Sequence, residues 1–344
     1  MTATDWAERA RRLTPRTRLF IAGDFHDPDG SDDPLDQVNP ATGAVWTTVA
    51  GAGVADVDRA VAAARAAFDA GGWSRATPGH RREVMVAWAD LVEDARDELA
   101  LLVTTEMGKP IGDTTGIEVP ALVKTLRYYA EVADKLVDEL PVTGPGELAL
   151  VTREPAGVVG AIVPWNFPLT MAGWKLGPAL CTGNSVVLKP AEYTSTSALR
   201  LAELAVEAGL PPGVFNVVTG RGHVAGDALA RHVDVDVLTF TGSGRVGRSL
   251  LHAAADSNLK SVWLELGGKS PNIVFADAPD LDTAADMAAW AVFFNAGEMC
   301  TAGSRLLVQR DILDDFSAAV VARARQRRVG DPLDEATETG PIVS

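Results

Sequence analysis

Two reactive side chains stand at the two ends of one strand-and-helix unit. Glu265 supplies a carboxylate just before Gly267-Gly268, and Cys300 supplies a thiol inside the glycine-flanked loop FNAGEMCTAG. A cysteine in such a loop becomes a nucleophile once it is a thiolate, and a nearby glutamate can act as general base. Between them lie an apolar strand-like segment, Asn272–Phe275, and an Ala-rich helical segment, Leu281–Phe294. Most cysteines are small buried hydrophobes, so the pair gains meaning only from the elements that hold it.

Those elements have an α/β texture from Val158 onward. VVGAIVP, NSVVLKP, VFNVVTG, VDVLTFTG and SVWLELGG read as strands. Helical segments separate them at Leu169–Leu180, Ser195–Ala208, around Ala225–Arg231 and at Val246–Ala255. Strands alternating with helices imply a mostly parallel sheet with right-handed crossovers, whose ligands sit outside the carboxyl ends of the strands. Pro164-Trp165-Asn166, Lys189–Glu192, Gly220/Gly222, Thr241-Gly242-Ser243 and Glu265-Leu266-Gly267 punctuate those ends, so all should fall on one rim.

Gly242–Gly247 fits GxGxxG between a strand and a helix, where a helix N-terminus favours a pyrophosphate. It lies in a late turn rather than the first, so its position does not support a standard dinucleotide fingerprint. Lys189 and Glu192 at another strand end could hold ribose hydroxyls; taken alone they read better as a solvated surface pair.

Upstream, residues 16–50 read as edge hairpins. Asp56 can cap a helix carrying Val57, Val61, Ala64 and Phe68, and Thr77-Pro78 opens another. Further helices run from Asp97 to Met107 and from about Pro120 to Leu136. The PVTGPG turn at Pro141–Gly146 predicts that Glu147–Arg153 pairs as a strand with the residues before it.

Composition sets limits. The 344 residues suffice for two domains, and 47% hydrophobic with 22% charged residues describes a globular chain. A net charge of −15 argues against nucleic acid or an anionic membrane as partner. Two cysteines, Cys181 and Cys300, make no disulfide framework and suggest a reducing cytoplasm. The five histidines have no metal-ligand spacing. No segment reads as a signal peptide or membrane span.

The motifs PWNFP (Pro164–Pro168), KPAE (Lys189–Glu192), FTGS (Phe240–Ser243), LELGGKSPNIVF (Leu264–Phe275) and FNAGEMC (Phe294–Cys300) occur in this order. On them the chain resembles the NAD(P)-dependent aldehyde dehydrogenase superfamily over nearly its whole length. RLFIAGDF, ELALVTREPAGVVGAIVPWNFP, WKLGPAL and GLPPGVFNVVTGRGHVAG bring it nearest to the gamma-glutamyl-gamma-aminobutyraldehyde dehydrogenases of putrescine breakdown, with betaine- and other amino-aldehyde dehydrogenases as neighbours.

The resemblance implies an α/β aldehyde dehydrogenase-like fold with a Rossmann-type parallel-sheet NAD-binding domain (1–139 and 155–265). It also implies a bridging hairpin (140–154) and the first part of an α/β catalytic domain (266–344). It assigns Cys300 as the nucleophile that forms a thiohemiacetal and then a thioester. Asn166 and the Cys300 backbone N–H become the oxyanion donors, and Glu265 the base that activates hydrolytic water. Ile162, Val163, Pro164, Trp165, Lys189, Glu192, Gly222, Gly226, Phe240, Gly242, Ser243, Val246 and Leu266 would form the cofactor wall. A carboxylate at Glu192 would repel a 2′-phosphate and favour NAD over NADP. Phe167, Trp174, Phe294, Met299 and Thr301 would line the aldehyde tunnel, Lys175 would stand near the active site, and Cys181 would be inert core.

Two departures matter. Glu298 stands where the family most often has glutamine. Family members also continue well beyond Ser344, into a Glu-x-Phe-Gly-Pro segment near the nicotinamide ribose and a strand that pairs with a neighbouring subunit's hairpin. The expectation is therefore a C-terminally shortened chain. It either oxidises an amino- or acylamino-aldehyde with NAD or is an inactive fragment that retains NAD binding or association with an intact homologue. The family's homo-oligomer would lack its pairing strand. Glu265 disfavours a CoA-acylating relative.

Overall fold

The computed structural model describes residues 5–30 and 32–344. After a short helix, Trp6–Arg11, come two short hairpins: β1 (Leu19–Ile21) with β2 (Asp24–His26), and β3 (Leu35–Asn39) with β4 (Ala44–Val49). The alternating segments then deliver β5 (Val158–Ile162), β6 (Ser185–Lys189), β7 (Phe215–Val217), β8 (Val237–Gly242) and β9 (Ser261–Leu266). A separate parallel pair, β10 (Pro271–Val274) and β11 (Arg305–Val308), follows.

The main sheet has the order β2-β1-β7-β6-β5-β8-β9. β5 to β9 are parallel to their neighbours, whereas β1 joins β7 antiparallel. Every residue of β5 and β6 is buried, which is why β5 is an unbroken apolar run and β6 is apolar between Ser185 and Lys189 rather than alternating. One face is covered by helices that include Pro78–Asp94, Val119–Val132, Pro168–Cys181 and Thr196–Glu207, around Trp73, Trp88 and Phe215. The other face packs against helix Val54–Ala70 through Val57, Val61 and Ala64, and against Leu229 and Leu250. Each large apolar side chain of this kind contributes about 2–3 kcal/mol on burial.

The strand order decides where a ligand can go. From β5 the chain moves outward to β6 and β7, then crosses back to place β8 on the other side of β5. Crossovers leave β5 and β8 in opposite directions, so a crevice opens outside their carboxyl ends. Asn166 follows β5 and Ser243 follows β8, so both stand at that crevice. The register places Ile162 between Lys189 and Phe240, and sets Glu265 opposite Thr241.

Beyond β9 lies a smaller unit. β10 and β11 carry helices Leu281–Phe293 and Leu313–Gln326, with a core of Val274, Ala285, Ala288 and Phe316.

Three expectations need correction. Gly53, not Asp56, caps helix Val54–Ala70; Asp56 lies one turn in, and its carboxylate accepts the Gly53 N–H at 3.1 Å. The helix expected to reach Leu136 ends at Val132 and is preceded by a π-helical turn, Thr114–Glu118. The segment Glu147–Arg153 is not a strand. One backbone bridge, Glu139 with Val151, and the contacts of Arg153 with Val137, Asp138 and Glu139 hold it to the preceding arm, and its exposed apolar residues have no sheet to pack upon.

Candidate active site

A pocket of about 330 Å³ occupies the crevice. Its lining brings together Pro164–Phe167 after β5, Thr241–Ser243 after β8, Glu265–Gly267 at the end of β9, and Glu298–Cys300. Met171 and Trp174, from the helix after β5, close one side. Cys300 and Glu265 are exposed to the pocket, so a small molecule and a water molecule can reach both.

The Cys300 loop is shaped by its backbone. Asn295, Ala296 and Gly297 have φ values of 52°, 56° and 79°, a left-handed run directly before Glu298-Met299-Cys300. Asparagine and glycine tolerate this region, but alanine pays about 1–2 kcal/mol for it. Strain of that kind persists where the surroundings over-determine the conformation. Here Asn295 Nδ2 donates to the carbonyls of Asn166 (3.2 Å) and Glu298 (3.1 Å).

Asn166 ties the loop to the sheet. Its Nδ2 donates to the Glu298 carbonyl at 2.9 Å. An amide nitrogen carries two donors, so one N–H remains for a ligand in the pocket. The Glu298 carboxylate is half-buried and accepts the Val343 N–H at 3.1 Å; burial pushes it above the usual carboxylate range, against that hydrogen bond and the Lys109 charge.

The residues expected at the cofactor wall stand in a strip at or just beyond the carboxyl ends of β5 to β9. Glu192 Oε1 accepts the Gly222 N–H at 2.8 Å. Lys189 is buried beside Ile162 and Gly226, and its ammonium donates to the Pro190 carbonyl at 2.8 Å. Burial lowers the Lys189 ammonium to about 8, partly offset by Glu192. Val163, whose N–H donates to the Lys189 carbonyl at 3.2 Å, and Phe240 are also buried. Phe240 folds under Gly242, where a Cβ would fall 2.4 Å from the ring. Ser243 Oγ caps the helix Gly244–Ala255 by accepting the Val246 N–H at 3.3 Å. Pro164, Trp165 and Leu266 carry the strip into the pocket of Cys300. An acceptor carboxylate, a buried ammonium and a glycine-opened helix N-terminus fit the ribose and pyrophosphate of a dinucleotide.

The expected tunnel residues divide. Phe167, Trp174 and Met299 line the pocket. Phe294 instead is buried behind it, stacked on Trp290 with ring centroids 4.8 Å apart, and exposed Thr301 lies outside the lining. Lys175 is buried against a neighbouring cavity of about 540 Å³ that Glu265 and Trp174 also border. Burial lowers its ammonium, and Glu265 opposes that shift. Cys181 is buried, its thiol pushed up to about 11 by burial.

Residues 26–344 match the profile of the Aldehyde dehydrogenase family. The chain belongs to the aldehyde dehydrogenase family. It is 49% identical to the NADP/NAD-dependent aldehyde dehydrogenase PuuC of Escherichia coli (strain K12), covering 98% of this chain and 68% of that protein. The crystal structure of an indole-3-acetaldehyde dehydrogenase with NAD+ superposes with a TM-score of 0.97 at 53% identity, over 99% of this chain and 68% of that one. A gamma-glutamyl-gamma-aminobutyraldehyde dehydrogenase from Burkholderia cenocepacia J2315 gives 0.95 at 53% identity, over 99% of this chain and 69% of its own. The chain thus spans about two thirds of these relatives' length.

Four residues around this pocket were not among the candidates read from the sequence, although Asn295 lies within FNAGEMC: Met171, Asn295, Lys109 and Glu118. Met171 and Asn295 could have been sought beside PWNFP and Cys300. Lys109 and Glu118 gave no signal, because their contacts to the Asn166–Thr170 segment span about fifty residues.

Proposed function

We propose that this site oxidises an aldehyde to its carboxylic acid with NAD, through a covalent intermediate on Cys300. One observation carries the reading: Cys300, Glu265 and Asn166 share the lining of a single pocket at the crevice between β5 and β8. The Cys300 thiolate adds to the carbonyl carbon, and the electron pair moves onto oxygen. The free N–H of Asn166 and the Cys300 backbone N–H stabilise that oxygen. NAD, when bound along the strip from Glu192 to Leu266, supplies the acceptor for the hydride, and a thioester remains on Cys300. Glu265 takes a proton from water, which attacks the thioester carbon and releases the acid and the thiolate.

Glu192 favours NAD, since a 2′-phosphate would approach its carboxylate. The similarity to a gamma-glutamyl-gamma-aminobutyraldehyde dehydrogenase directs the substrate proposal to amino- and acylamino-aldehydes. We divide the chain into a cofactor domain (1–139 and 155–265), a hairpin (140–154) and a catalytic unit (266–344). The exposed Leu140, Val142, Leu148 and Leu150 of the hairpin suit contact with another copy.

A second reading, NAD binding without turnover, is favoured by apolar side chains left in solvent beside the site. Trp263 is 68% exposed, Phe275 60% and Ile273 56%. Following NADH absorbance with 3-aminopropanal, 4-aminobutanal and its gamma-glutamyl derivative separates the two. Turnover that vanishes in Cys300→Ala supports the enzyme; soluble protein that binds NAD without turnover supports the second reading.

A further inference from the structure

The most deeply buried ion pair among the described residues lies directly behind the site. Lys109 Nζ pairs with the Glu118 carboxylate, and the two side chains are 1% and 0% exposed. Burying two charges costs several kcal/mol per ion, which their attraction repays only in a tightly bonded setting, so such a pair is weak as a stability device. Its bonds all point to one segment. Lys109 Nζ donates to the Asn166 backbone carbonyl at 2.9 Å and stands 3.7 Å from the centroid of the Phe167 ring. Glu118 Oε1 accepts the N–H groups of Leu169 (3.1 Å) and Thr170 (3.0 Å), the first turn of helix Pro168–Cys181. Glu118 itself ends the π-helical turn Thr114–Glu118, an irregularity frequent at functional positions.

The pair therefore brackets residues Asn166 to Thr170. Lys109 and Asn295 grip the same carbonyl from two directions, at 2.9 and 3.2 Å, which leaves the Asn166 peptide no freedom to rotate. With the peptide fixed, the Asn166 amide is held toward the Glu298 carbonyl and the Cys300 pocket.

We propose that Lys109, supported by Glu118, is a positioning residue that aims the Asn166 amide at the carbonyl oxygen of the aldehyde. This rests on the reading of Asn166 and Cys300 given above. Lys109 touches no reacting atom. It acts through the Asn166 backbone, so its loss misdirects a hydrogen bond without removing the donor.

The test uses the full chain without NAD, so that no hydride acceptor carries the adduct on to a thioester, and reads alkylation of Cys300 by iodoacetamide, by intact mass, with and without 3-aminopropanal. Aldehyde captured as a thiohemiacetal protects the thiol, and the protection constant reports the hydrogen bond to its oxygen without requiring turnover. Lys109→Met should weaken protection about tenfold, as Asn166→Ala should, because displacement of an ångström costs up to about a hundredfold. Alkylation without aldehyde should change less than about twofold. The double variant Lys109→Met/Asn166→Ala should be no worse than Asn166→Ala alone, since both act through one donor. Should Lys109→Met fail to fold, Lys109→Met/Glu118→Gln leaves no buried charge unpaired and carries the comparison.

Wild-type protection in a folded Lys109 variant, or losses that multiply in the double variant, would overturn the inference while leaving the site reading intact. Cys300 alkylation that no aldehyde slows, in wild type and Asn166→Ala alike, would overturn the site reading and this inference with it.

Discussion

The Asn166 amide donates to the carbonyl of Glu298, 2.9 Å away, and so joins the turn after β5 to the loop that carries Cys300. The bond uses one of the two N–H groups of an amide whose residue lines the pocket. Asn166 braces the Cys300 loop through this bond, and in the function proposed above it is also the donor for a developing oxyanion. Asn166→Ala should lower kcat by about 10²–10³-fold with a small change in melting temperature, since one hydrogen bond is worth about 1 kcal/mol. Steady-state kinetics beside a thermal melt checks this; an unchanged kcat would remove Asn166 from the chemistry.

Phe240 and Gly242 predict a contrast within the cofactor strip. Gly242→Ala places a methyl group 2.4 Å from the Phe240 ring and should weaken NAD binding at least about tenfold through displacement of the turn. Gly244→Ala, with nothing nearer than Arg248 Nη1 at 3.8 Å, should leave binding within about twofold, since ordinary contact requires no shift. Titration calorimetry with NAD compares the pair, and equal affinities would place the dinucleotide elsewhere.

Much of this was legible in the sequence. The β5–β9 sheet follows from apolar runs alternating with helical segments, and the rim residues follow because parallel strands all end on one side. What was not legible depends on distance and on context. Lys109 sits in an ordinary MGKP turn, and only the folded chain brings it to Asn166. Phe294 is apolar in a loop of the right motif, and nothing local distinguishes lining the pocket from stacking on Trp290 behind it. Asp56 is a good cap by type, but Gly53 takes the capping position and its N–H donates to the Asp56 carboxylate from inside the helix.

The left-handed Ala296 yields a stability prediction. With φ at 56°, Ala296→Gly should raise stability by about 1 kcal/mol, because glycine lacks the Cβ clash of that region. Denaturant unfolding measures the gain. No gain would mean the run is not strained.

Lys189 predicts a pH dependence. Burial lowers its ammonium to about 8, below the ordinary lysine value of 10.5, so the unfolded chain binds more protons between those values. The contribution of Lys189 therefore makes the fold more stable as pH rises from about 8 to about 10.5. Lys189→Met should remove that rise, which a series of thermal melts across pH 7 to about 10.5 can read. A wild-type and variant difference that is flat with pH would contradict it.

The most direct test of the whole account traps the acyl group on its cysteine. Glu265→Gln keeps the nucleophile and loses the base, so thioester should form and persist. The variant is mixed with NAD and the gamma-glutamyl derivative of 4-aminobutanal, whose acylated nitrogen cannot displace the thioester by cyclisation, quenched in acid and weighed intact, then mapped by peptide. The account predicts an added mass equal to the aldehyde less two hydrogens, located on the Cys300 peptide, with one NADH formed per adduct and none in Glu265→Gln/Cys300→Ala. NADH formed without any adduct on Cys300, or an adduct that survives replacement of Cys300, would contradict it.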